Sequence, residues 1–134
     1  MSAHETFYTD LIAHLKASSG IGDAVGDRVH LERFPAGTIK PVLTVETVDS
    51  DVPEYLGRDT PDKAMIQVAF NCWAERSLDT LKARDAVYTE FKDFAGLLNS
   101  NTDVHATVFR GDSPSEQEPS SSLLRRRLSF EFWY

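Results

Sequence analysis

The chain of 134 residues has a single cysteine and no basic excess. Cys72 alone excludes an intrachain disulfide and leaves no thiolate cluster for zinc. No apolar run approaches the roughly 20 residues that a membrane span requires. The N-terminal MSAHETFYTD lacks the basic region and apolar run of a signal peptide, so a cytosolic origin is expected. Lys and Arg number 14 against 21 Asp and Glu, a formal net charge of −7 that speaks against a DNA-binding surface, which needs cations along the phosphates. Catalytic signatures are missing as well. His4, His14, His30 and His105 fall on different elements without metal-ligand spacing. Gly20, Gly22 and Gly26 are too irregularly spaced to cradle a phosphate, and no nucleophile-elbow, P-loop or dinucleotide motif occurs. Asp49, Asp51 and Glu54 lack the glycine and the downstream glutamate of a calcium loop. The expectation is no enzyme, no metal and no cofactor.

What the chain does contain is an organising stretch from Ala64 to Leu98. Over AMIQVAFNCW the side chains alternate, with Ala64, Ile66, Val68, Phe70 and Cys72 on one face, the pattern of a strand against a core. Cys72 therefore reads as a small buried hydrophobe rather than a nucleophile. Ser77 is placed to cap a following helix. From Leu78 the period becomes 3.6, with Ala83, Val87, Phe91, Phe94 and Leu98 on one stripe.

Upstream, a helix is expected over Ala3 to Ser18, burying Phe7, Tyr8, Leu11, Ile12 and Leu15 and ending at Gly20, with His14 a solvated flank. Ile21 to Val29 reads as a turn region leading to a brief strand near Arg28 to Leu31, and a longer strand follows at Val42 to Val48. Asp49 to Asp62 reads as a long acidic loop, carrying Asp49, Asp51, Glu54, Asp59 and Asp62 against Arg58, with Tyr55 and Leu56 its only large apolar pair. Further on, a strand over Asp103 to Arg110 alternates Val104, Ala106 and Val108 with His105, Thr107 and Phe109. Gly111 to Ser122 is Ser-, Glu- and Pro-rich and reads as a mobile loop. The last strand, Leu123 to Tyr134, puts Leu124, Leu128, Phe130, Phe132 and Tyr134 on one face, and Arg125, Arg127, Ser129 and Glu131 on the other. The expected fold is a single α+β domain, residues 1–134: a mostly antiparallel sheet of four to five strands with two helices packed on one face.

Read in order, the N-terminal helix, VGDRVH at Val25 to His30, PVLTVE at Pro41 to Glu46, VAFNCWAE at Val68 to Glu75 and RLSFEFWY at Arg127 to Tyr134 resemble the phage tail terminators. These are also called tail completion or tail-to-head joining proteins, and the resemblance covers nearly the whole chain. It implies a structural virion protein that forms a ring, hexameric by family habit, at the head-proximal end of the tail. Such a ring caps the tail tube, stops its polymerisation and joins it to the head connector. The implied partners are further copies of the chain, the major tail tube protein and the head-tail connector or head-completion protein. Viral DNA would pass through the channel without specific binding, and negative walls suit that passage. Assembly would take place in the host cytoplasm. The 49–62 loop supplies the expected docking residues Asp49, Asp51, Glu54, Tyr55, Leu56, Arg58 and Asp59, and Arg125, Arg127 and Glu131 the expected subunit contacts. A neighbouring head-completion or neck connector protein, or a small α+β ligand-binding domain, are the alternatives.

Overall fold

A computed structural model describes residues 3–51, 65–113, 116–117 and 123–134, with the backbone alone at 3–4 and 49–51. The aromatic strand that closes the chain, β8 (Leu124–Trp133), lies inside the sheet. On one side it pairs with β3 (Met65–Ala74), and on the other with β6 (Ala106–Asp112) and the two-residue β7 (Glu116–Gln117). Beyond β3 come β2 (Val42–Asp51) and β1 (Val29–Leu31), giving the order β1-β2-β3-β8-β6. All pairings are antiparallel except β1 with β2. A separate hairpin joins β4 (Gly96–Leu98) to β5 (Thr102–Val104).

Three helices, α1 (Ala3–Ala17), α2 (Ser19–Val25) and α3 (Ser77–Phe91), contribute to one core against one face of this sheet. Leu43 and Val45 of β2, Ile66, Val68, Phe70 and Cys72 of β3, and Leu128, Phe130 and Phe132 of β8 meet Phe7, Leu11 and Leu15 of α1 and Ala83, Val87 and Phe91 of α3. Alternation along each strand selects these residues, and burying each large side chain is worth about 1.5–3 kcal/mol. Phe91 stacks on Phe70 at 5.5 Å and meets Phe132 edge-on at 5.3 Å, so aromatic packing fixes α3 over the centre of the sheet. The sheet class and the neighbouring of β2 with β3, and of β6 with β8, follow the sequence expectation.

Several boundaries differ. Residues 19–25 form a helix rather than a turn. Ser18 caps it by accepting from the Ile21 amide, so Gly20 lies inside α2, and Gly26, at φ 64°, ends it. The helix after β3 begins at Ser77 with Arg76 in the cap position, where no side chain caps it, so Ser77 is not the cap. It stops at Phe91 because Asp93 turns into the left-handed region at φ 57°, and Gly96 then opens β4. Phe94 and Leu98 still pack into or against the core, from beyond the helix. The strand at 103–110 is broken at His105: Val104 is buried in the hairpin, while Val108 is 40% exposed on β6. His14 is no free flank, for it pairs with Glu90 at 2.7 Å and packs edge-on against Phe94. Strand β2 continues to Asp51 past an irregularity between Thr47 and Asp49, so Asp49 and Asp51 are strand residues opposite Gln67 and Met65. Gly111 and Asp112 likewise end β6, and Glu116 and Gln117 pair with β8, inside the segment expected to be a mobile loop.

Candidate assembly surface

The sheet face opposite the helices carries several groups of paired polar side chains. Register places Glu46 of β2 beside Ala69 of β3 and Asn71 beside Arg127 of β8, all on that face. Arg127 Nη1 donates to Glu46 Oε1 at 2.8 Å, and Asn71 Nδ2 donates to the same oxygen at 3.1 Å. Two residues further along the same strands, Trp73 Nε1 donates to Thr44 Oγ1 at 3.0 Å, and its ring lies under the Arg125 guanidinium at 5.7 Å and beside Phe34 at 5.8 Å. Arg125 also reaches Glu116 at 2.8 Å. Toward the other end, Glu131 accepts from Trp133 Nε1 at 2.7 Å and lies 3.5 Å from Arg110 Nε. The buried Asn71 Oδ1 has no hydrogen-bond partner among the described residues.

The three residues expected at a subunit contact, Arg125, Arg127 and Glu131, therefore share one face of one central strand. Each is already engaged by a neighbour on that face. Their engagement was not visible in the sequence, because it depends on β8 lying next to β3 and on β2 lying one strand beyond. Phe34 was missed altogether, since it comes from the irregular stretch between β1 and β2 and carries no periodic signal. The complementary signs of Glu46 and Arg127, each on an outward position of its strand, were the available clue. Of the docking residues, Asp49 and Asp51 end β2, whereas Glu54, Tyr55, Leu56, Arg58 and Asp59 lie outside the described residues.

Inside the fold, ionisable groups are placed for structure. Cys72 is fully buried, and burial pushes its thiol up to about 12, the Arg126 charge opposing only in part. Such a thiol is a poor nucleophile at neutral pH. Asp10, 3% exposed on α1, accepts from Asn99 at 3.3 Å, Asn101 at 2.8 Å and Thr102 at 2.5 Å. Burial would raise its pKa, but these three donors outweigh it and hold the carboxyl below its ordinary value. Asp10 thereby clamps the β4–β5 hairpin to α1. Among the described residues no group of three or more His, Cys, Asp or Glu is placed to hold a metal ion, and no helix is long and apolar enough to cross a membrane.

No family model matches the sequence, and no curated protein matches it. The fold is similar to that of a chain in the solved structure of the virion of a native gene transfer agent (GTA) particle. The two superpose with a TM-score of 0.65 at 18% identity, over 92% of this chain and 90% of that one.

Proposed function

We propose that this chain is a structural virion protein of tail-terminator type, without catalytic activity. Copies of it form a ring, six-membered by the family resemblance, at the head-proximal end of the tail. The ring caps the tail tube, ends its polymerisation and presents a surface to the head connector. The observation that carries this reading is the fold likeness to a virion chain over nearly the full length of both proteins. A polar sheet face opposite the helices suits it. Arg125, Arg127 and Glu131 lie close to the contact between neighbouring copies. The 49–62 segment, with Tyr55 and Leu56 as its apolar anchors, docks on the tail tube or faces the channel, and the net charge of −7 lets DNA pass without sticking.

Negative-stain imaging of the purified protein mixed with tail tubes tests the reading. Rings seated on one end of each tube, and tubes that no longer elongate, are expected. Protein that leaves tube ends bare but decorates isolated head connectors would instead make it a head-completion protein.

A further inference from the structure

The sheet has two edges, β1 and β6, and no described strand pairs with the outer side of either. An uncovered edge offers backbone donors and acceptors that ordinarily must be covered or blunted. Each edge here also exposes apolar side chains. Beside β1, Glu5, Tyr8, Thr9 and Ile12 of α1 and Leu31 line a predominantly apolar groove of about 480 Å³. Leu31 is 49% exposed although it lies on the helix-covered face, opposite the fully buried Val45. At the far edge Phe109 is 39% exposed. It packs on Tyr88 of α3 at 5.2 Å and on Phe130 at 5.3 Å, so it too lies on the helix-covered face. The flanks carry opposite charge. Glu32 follows Leu31 at the end of β1, whereas Arg110 follows Phe109 on β6 with its side chain 50% exposed, 3.5 Å from Glu131 of the open face.

Resting on the ring reading above, we propose that these edges are mates. Phe109 of one copy seats in the groove of Tyr8, Ile12 and Leu31 of the next, β6 extends the neighbour's sheet beyond β1, and Arg110, on the other side of the strand, faces Glu32. Strand direction agrees. β1 runs with β2, and three antiparallel steps lead from β2 to β6, so a neighbour related by rotation about the ring brings its β6 antiparallel to β1. Continuing the sheet keeps its helix-covered side continuous, which places Phe109 on the groove's side. The occupant is a second copy because this chain itself carries the matching strand, aromatic plug and basic flank. A head-to-tail contact of this kind gives a ring where its rotation closes, whereas a two-fold contact would pair like edges, β6 with β6.

Disulfide trapping of the full chain tests the contact. Leu31→Cys with Phe109→Cys in one molecule should oxidise to a ladder of cross-linked oligomers, and each single variant should stay monomeric on a denaturing gel. Dimers from a single variant would show a two-fold contact and overturn the proposal. Because Phe109→Cys also removes packing against Tyr88, a surface charge swap gives an independent reading. Arg110→Glu should weaken self-association in sedimentation by about tenfold or more, and adding Glu32→Arg should restore it. Absence of both the ladder and the charge effect overturns the edge contact whatever the tube images show. Rings on tubes in that case leave the ring reading standing with a different interface.

Discussion

The two faces of the sheet use the same strands for opposite ends. On the covered face Phe70, Phe130 and Phe132 are fully buried and share Phe91 as a common neighbour. On the other face, one residue along in each strand, Asn71, Arg127 and Glu131 bind polar partners across the pleat. Apolar packing without solvent contact is where large side chains contribute most to stability, and partly exposed ion pairs contribute little. The covered face thus holds the fold. The ion pairs of the opposite face are pre-organised yet cost little to break, as the proposed assembly surface would require.

The comparison breaks most sharply at Phe91. Phe91→Ala removes the ring that joins α3 to three sheet phenylalanines, and is expected to cost about 3–5 kcal/mol in urea denaturation. A cost below about 1 kcal/mol would mean that α3 is held by something other than this cluster.

Asp10 belongs to the covered side but acts through charge. Removing it by Asp10→Ala leaves three donors to rehydrate and frees the β4–β5 hairpin, for an expected loss of about 2 kcal/mol at neutral pH. Its folded pKa lies below the ordinary value, so its contribution is complete above the unfolded pKa of about 4 and is lost as pH falls through the lower folded value. The difference between wild type and Asp10→Ala should therefore shrink as the medium is acidified from about pH 4 downward. A difference that stays constant over that range would show that the clamp does not depend on the carboxylate.

Much of this division was legible in the sequence. The alternation of Ile66, Val68, Phe70 and Cys72, and that of Leu128, Phe130 and Phe132, identified the covered face. Arg125, Arg127 and Glu131 fell on the open face because a period of two leaves no other place for them. What the sequence withheld was non-local. Nothing in the chain order says that the last strand sits between β3 and β6, and the pairing of Arg127 with Glu46 depends on that placement. Local signals failed where two were in competition. Gly20 read as a helix end and Gly22 as a turn residue, yet Ile21, Ala24 and Val25 had apolar surface to bury, and burial won. At the end of α3 the reverse held: the stripe continued to Leu98, but Asp93 and Gly96 adopted backbone angles outside the helix, and Phe94 and Leu98 reached the core from a turn and a strand.

The smallest expected effect on stability sharpens the comparison from the other side. Arg127 and Glu46 are about one-third exposed, and Glu46 keeps a second donor in Asn71 when Arg127 is lost. An ion pair of that exposure contributes roughly 0–1 kcal/mol and is screened by salt. Arg127→Met preserves most of the side-chain volume while deleting the charge, so its melting temperature should differ little from wild type, and less still in high salt. If the proposed function holds, its effect belongs in assembly: fewer tail tubes should carry a ring at a protein concentration at which the wild-type chain caps them all. If Arg127→Met instead unfolds the protein while Phe91→Ala is tolerated, the roles of the two faces are reversed. If it changes neither melting nor capping, the open face is simply solvated, and the contact between copies rests on the sheet edges alone.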